Sequence, residues 1–322
     1  MARSQPHVVW SIILAGENDH RTRPLGYSKP KQYCTFVGTR SMLQHTLDRA
    51  NRLAAPHQKI TVVSQAHQHY ASDALVGQKA GQVILEPDYC GTGPGIFLPL
   101  TYVRAWDPNA TMAIFPSDHF VFPEDRFVEA VQRATRASHI LQDRILLVGV
   151  RPTHLELDYG WLNVGGVLGW SGGSCVRQVD SFIEKPGHIE VLNAMAKGAL
   201  WNTSVIVVKV ATLWKLGWEY LPVMMERFDR LAQAIGSTQE GRMLHQLYQN
   251  MPTLNFSSEL LQRVPERLGV IELEDVLWSD WARPDHIIRT LNVLGKEPAI
   301  PTEAAMPTCS SSPAFSPLEV AQ

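Results

Sequence analysis

Short apolar runs rich in valine and isoleucine recur from residue 9 to residue 150, each parted from the next by an amphipathic stretch, and this alternation constrains the fold most. VVWSIILAG, KITVVSQ, QVILEP, TMAIFPSDH and RILLVGVRP read as strands. Between them SMLQHTLDRANRL has helical spacing at Met42, Leu43, Leu47, Ala50 and Leu53, and EDRFVEAVQRATRASHIL reads as a further helix. Strands that are apolar along nearly their whole length leave no face for water, so both sides of the sheet must be covered. The pattern predicts an α/β fold with a Rossmann-like, mostly parallel sheet flanked by helices.

After about Pro152 the rhythm changes. YGWLNVGG, VRQVDSFIEKP and WNTSVIVVKV read as shorter strands between Gly-rich turns, suggesting an added, smaller mixed sheet or lid. Helical stretches follow around ATLWKLGWEYLPVMMERFDRL and GRMLHQLYQNM, and VIELEDVLWSDWARPDHIIRTL closes with a strand, a turn and a helix. The chain thus divides into a globular part over 1–295, with halves at 8–150 and 151–295, and a tail over 296–322. Pro, Ser and Ala dominate that tail without periodicity, so it is expected to be disordered.

Apolar residues at 45% and charged residues at 19% of 322 residues suit a globular protein with a sizeable core. A net charge of -2 supplies no global basic field, which disfavours a nucleic-acid partner but leaves room for a local anion pocket. Cys34, Cys90, Cys175 and Cys309 are scattered without a CxxC pair, which fits a reducing cytoplasm rather than a disulfide or zinc framework. The apolar run from Val8 to Ala15 is short and broken by Ser11, a strand rather than an export signal. With no run of roughly 20 apolar residues, a membrane partner is not expected. The location expected is cytoplasmic.

Five segments carry polar groups where strands end. The loop after β-strand residues Leu14, Ala15 and Gly16 gathers Arg21, Arg23, Lys29 and Lys31, the cations a polyphosphate needs. It is neither a Walker A loop nor GxGxxG, and taken alone a solvated basic loop explains it better. Asp118 and His119 follow an apolar strand; a carboxylate there can hold magnesium, although a lone strand-end Asp more often caps a turn. Glu184 and Lys185 are adjacent at another strand end, where a turn can deliver both to one ligand. Asn202 offers a neutral donor and acceptor for hydroxyls. Asp280 lies near two tryptophans, and the bland account makes these core and the Asp a turn cap.

Taken in order, LAGENDHRTRPL with PKQY, EPDYCGTGPGI, FPSDH, LDYGWLNVG, FIEKP, LWNTSV and WSDW resemble the sugar-1-phosphate nucleotidyltransferases, most closely the mannose-1-phosphate guanylyltransferases. The resemblance runs from about Val9 to Leu291. It implies a nucleotide-binding half over 8–150 and a sugar-phosphate-binding half over 151–295. It implies that Leu14, Ala15 and Gly16 line the nucleoside pocket, that Gly91, Thr92 and Gly93 contact the base, and that Arg21 and Lys31 bind the triphosphate. Asp118 and Asp280 would hold Mg2+ between them. Tyr159, Gly160, Glu184 and Asn202 would surround the sugar, with Lys185 on its phosphate.

The implied reaction joins an NTP, GTP first, to a sugar-1-phosphate, mannose-1-phosphate first, and releases pyrophosphate. A phosphate monoester is already anionic, so the site needs aligned cations rather than a general base or a triad. Where the family's loop usually reads GGxGxR, this chain has Gly16, Glu17, Asn18, Asp19, His20 and Arg21. Asp19 tolerates left-handed backbone yet repels phosphate unless a cation offsets it, and Glu17 can face away. Thymidylyl or uridylyl transfer to glucose-1-phosphate is one alternative reading. A non-catalytic subunit that binds nucleotide or sugar phosphate is another. The sequence leaves the oligomeric state open, a homodimer included.

Overall fold

The protein is described by a computed structural model that covers residues 9–17 and 29–297. Asp19, Arg21, Arg23 and the tail beyond residue 297 lie outside the described residues.

The chain lays down β1 (Val9–Ala15), α1 (Met42–Asn51), β2 (Lys59–Ser64), α2 (Gln68–Leu75), β3 (Gln82–Glu86), α3 (Thr92–Trp106) and β4 (Thr111–Pro116). The short β5 (His119–Phe122), α4 (Glu124–Ser138) and β6 (Ile145–Val150) follow. Then come β7 (Gly160–Ser171), β8 (Ser174–Glu184), α5 (His188–Ala196) and β9 (Leu200–Lys209). The last part holds α6 (Val210–Tyr220), α7 (Pro222–Ala234), α8 (Glu240–Tyr248), α9 (Phe256–Glu259), β10 (Leu268–Glu272), β11 (Leu277–Asp280) and α10 (Pro284–Leu294). The expected strands and helices of the first half all form. At α1, Ser41 and Gln44 cap one another's backbone N–H groups, which sets where that helix begins.

Nine strands form one sheet in the order β3-β2-β1-β4-β9-β6-β10-β8-β7. β1, β2, β3 and β4 run parallel, as do β6 and β10, while β9 runs against both of its neighbours, β4 and β6. β7 pairs with β8 and returns to pair with β9, so the strands from β9 to β7 curl closed. The segments expected as short strands of an added sheet are therefore the longest strands here, and they extend the main sheet. WNTSVIVVKV, read as peripheral, is its central strand: Val205 to Val208 are fully apolar and buried, which suits a position with neighbours on both edges. β5 and β11 make a separate two-stranded ribbon.

Side chains alternate between clusters on the two faces of the sheet. Ile12, Ile60, Val62 and Ile114 pack with α3, α6, α7 and α8 on one face, and Phe115, Val148 and Val207 pack with α4 on the other. α3 has no counterpart in the sequence reading, because its glycines and its Pro99 are poor helix formers; burial of nearly every residue from Gly93 to Val103 outweighs that propensity. It starts at Gly91, whose φ of 89° favours glycine and whose missing Cβ would stand 2.4 Å from the Leu254 carbonyl oxygen. Gly91→Ala is expected to cost about 2 kcal/mol in chemical unfolding, and an unchanged midpoint would show that this segment yields freely.

Candidate functional site

A cavity of about 250 Å³ opens where β1, β3 and β4 end, the carboxyl edge at which ligands bind in open α/β sheets. Its wall includes Leu14, Gly16, Lys31, Thr92, Asp118, Glu184, Lys185, Asn202 and Asp280, residues spread over the whole globular sequence. A larger hollow of about 630 Å³ beside Arg151, Trp170, Arg177 and Met195 collects none of them. We place the chemistry in the smaller one, since convergent polar groups rather than volume define a site.

The remaining expected residues stand behind this wall. The Ala15 carbonyl accepts hydrogen bonds from Gln32 Nε2 (3.1 Å) and Tyr33 Oη (3.3 Å), which fix the end of β1. Gly91 and Gly93 pack on Leu254, and Gly93 N donates to its carbonyl at 2.9 Å. Thr92 Oγ1 accepts from Phe256 N (2.8 Å), so this turn carries the strap that brings Phe256 and Ser257 to the cavity. A Cβ on Gly160 would meet Phe182 and the Glu184 carboxylate, so glycine there makes room for Glu184. Tyr159 is buried and donates from Oη to Asp280 Oδ1 at 3.0 Å.

Lys31 is only 2% exposed and lies 2.7 Å from Asp118 Oδ2 and 3.3 Å from Glu17 Oε2. Glu17 therefore does not face away; it lines the cavity beside the cation. Burial pushes the Asp118 carboxyl up, but Lys31 and then His119 more than offset it, and its pKa lies below the ordinary value. His119 shifts downward because burial outweighs the attraction of Asp118 and Asp280.

Asp118 and Asp280 meet because β5 and β11 pair with His119 opposite Asp280, and Trp281 N donates to the Asp118 carbonyl at 3.2 Å. Trp278 and Trp281 are core, as the bland account had it; Trp281 stacks on Phe120 with ring centroids 4.8 Å apart. Asp280 Oδ1 accepts from His286 Nδ1 (2.7 Å) as well as from Tyr159, while Oδ2 has no hydrogen-bond partner among the described residues. His286 Nε2 in turn donates to Glu156 Oε2 at 3.0 Å. Burial lowers the His286 pKa, yet its bonds to Asp280 and Glu156 prevail and raise it to about 9. Glu156, which burial would raise, is held at about 2 chiefly by His286. The sequence reading missed both residues, and nothing in their local motifs marks them: they become partners only when α10 meets the loop that leads into β7.

Glu184 and Lys185 reach one cavity because the chain turns sharply between them, with Lys185 at a φ of 47°. Glu184 is shifted upward by burial, against the pull of Lys185. The pairing of β9 with β6 is irregular between Asn202 and Ile206, and Asn202 Oδ1 accepts from Ser204 N at 3.2 Å. Glu86 is a further wall residue absent from the sequence reading, only 1% exposed, with Oε1 accepting from Tyr248 Oη at 3.0 Å. Burial lifts its pKa to about 7.

Magnesium takes few protein oxygens and completes its shell with water and phosphate. Two carboxylates on one wall, one with an unengaged oxygen, fit that demand. Among the described residues no group of three or more His, Cys, Asp or Glu is placed to hold a metal by itself. No helix among them is long and apolar enough to cross a membrane.

The xanthan biosynthesis protein XanB of Xanthomonas campestris pv. campestris (strain B100) is 30% identical over 207 residues, 63% of this chain and 42% of that protein. A mannose-1-phosphate guanylyltransferase of Escherichia coli is 24% identical over 276 residues, 84% of this chain and 58% of its own. The chain thus spans about half the length of these relatives. Among solved structures, a mannose-1-phosphate geranyltransferase from Thermus thermophilus superposes with a TM-score of 0.73 at 24% identity, over 85% of this chain and 76% of that one. An inositol-1-phosphate CTP transferase from T. maritima does so with a TM-score of 0.55 at 13% identity, over 89% and 98%. These two likenesses establish the fold. The Nucleotidyl transferase profile matches residues 10–283, and with so much of its length covered the chain belongs to that family.

Proposed function

We propose that the protein transfers a nucleotidyl group from an NTP, GTP by preference, to a sugar-1-phosphate, mannose-1-phosphate by preference, releasing pyrophosphate. The observation that carries this is the single cavity in which the nucleotide-edge residues Leu14 and Gly16 face Glu184, Lys185 and Asn202 across Lys31 and Asp118. Lys31, with Arg21, would neutralise the triphosphate, and Lys185 would hold the phosphate of the sugar in line with it. Glu184 and Asn202 would orient sugar hydroxyls. Asp118 and Asp280 would hold Mg2+, which supplies charge neutralisation at the phosphates when bound.

The preference for guanine rests on Glu86. A guanine presents N1–H and N2–H side by side, which one ionised carboxylate can accept together, whereas uracil and thymine present a single N–H between carbonyls. With the carboxyl at about 7, GTP should bind more tightly as pH rises from 6 to 8. Pyrophosphate release measured across GTP, dTTP, UTP, CTP and ATP with mannose-1-phosphate and glucose-1-phosphate tests the reading. The expected result is release with GTP. In Glu86→Gln the KM for GTP should rise about 10- to 100-fold and the pH dependence flatten. Nucleotide binding without release for any pair would replace the enzyme with a binding subunit, a role consistent with Glu17 at the wall.

A further inference from the structure

Within β9 every residue from Leu200 to Lys209 is buried or partly so except Ser204, which is exposed and lines the cavity. Its φ is 56°, in the left-handed region where glycine is at ease and a side chain is strained. The Asn202 side chain holds this conformation through the Ser204 N–H. Thr203 anchors the same bend from the other side, donating from Oγ1 to the Val148 carbonyl at 2.7 Å. The fold thus gives this position glycine-like backbone, and the sequence sets a hydroxyl there. Ser204 Oγ makes no hydrogen bond to any described residue, and it shares the wall with Asn202, Glu184 and Lys185.

We infer that Ser204 is a specificity-determining residue whose hydroxyl hydrogen-bonds a hydroxyl of the sugar phosphate. A glycine would relieve the strain and leave the cavity open, so the bend alone gives no reason for serine. A serine hydroxyl both donates and accepts, which matches a sugar hydroxyl in either sense. Held beside Asn202, it fixes one ring position, and discrimination between epimeric sugars follows from a hydrogen bond that only one of them can complete. The inference rests on the sugar-phosphate reading of this wall.

Ser204→Gly and Ser204→Ala separate strain from recognition. Glycine should leave the melting temperature unchanged or higher, because it suits the backbone, and alanine keeps the strain. Both should raise KM for the preferred sugar-1-phosphate about tenfold while leaving KM for the nucleotide unchanged. Both should also narrow the difference between mannose-1-phosphate and glucose-1-phosphate. An unchanged sugar KM in both variants would overturn the role of Ser204. If instead the unaltered protein turns over no sugar-1-phosphate, it is the reading of the site that fails, and the melting temperature of Ser204→Gly still reports the strain.

Discussion

Asp118→Asn is expected to lower turnover about 10²- to 10³-fold with the fold intact. The substitution keeps an oxygen near Lys31 but removes the charge that a magnesium ion would use. It also removes a carboxylate that flanks the buried Lys31 ammonium, while Glu17 at 3.3 Å is retained. That remaining pair is why a collapse of the fold is not expected. The backbone contact from Trp281 N to the Asp118 carbonyl is untouched, so β5 and β11 stay in register. Pyrophosphate release at saturating Mg2+ reads the loss, and circular dichroism reads the fold. Turnover within a few-fold of the unaltered protein would remove Asp118 from the chemistry.

The second large effect belongs to stability. His286 is 2% exposed and stands between Asp280 and Glu156, itself 5% exposed, so His286→Ala leaves a buried carboxylate without its cation. Breaking a buried pair from one side costs about 3–5 kcal/mol, and in a chain of this size the melting temperature should fall by about 5–10 °C. The pH dependence has a defined sign. His286 is raised from 6.5 to about 9, so its contribution is complete below 6.5 and is lost as pH climbs through 9. Glu156 is lowered from 4.5 to about 2, so its share is complete above 4.5 and is lost as pH falls through 2. Thermal unfolding from pH 3 to pH 10 should therefore show both flanks in the unaltered protein, and His286→Ala should lose the alkaline one. A variant that melts within 2 °C of the parent would mean the cluster is not a cohesive pair.

Much of the first half was legible because its signals are local. The strands from Val9 to Val150 are apolar runs, and α1 and α4 carry amphipathic spacing, so period and length suffice. α3 was hidden because Gly91, Gly93, Gly95 and Pro99 read as loop, and only its burial against the sheet makes it a helix. The longer strands of the second half were legible as strands but not in their places: nothing in WNTSVIVVKV says that it enters between β4 and β6. At the site, Asp118, Lys31, Lys185 and Asn202 could be listed from the resemblance, and the cavity brings them together. Glu86, Glu156, His286 and Ser204 could not, because each acquires its role from a residue or a backbone angle distant in sequence. Ser204 does have a weak signal in retrospect, a polar residue interrupting an apolar strand directly after Asn202.

The position of β9 has a consequence for how the chain is made. Its ten residues are synthesised after β6, yet they fill the gap between β4 and β6. A nascent chain that has emerged only as far as Val150 thus presents the open edge of β4 and a β6 that still lacks both of its sheet neighbours, β9 and β10, and these edges are able to recruit other extended segments. The sheet becomes continuous only when residues 200–209 thread antiparallel into that gap, a long-range closure that is slow compared with local helix formation. During synthesis the protein is consequently most exposed to misassembly between the appearance of β6 and that of β9, which makes this interval, rather than the finished fold, the point at which a chaperone would matter.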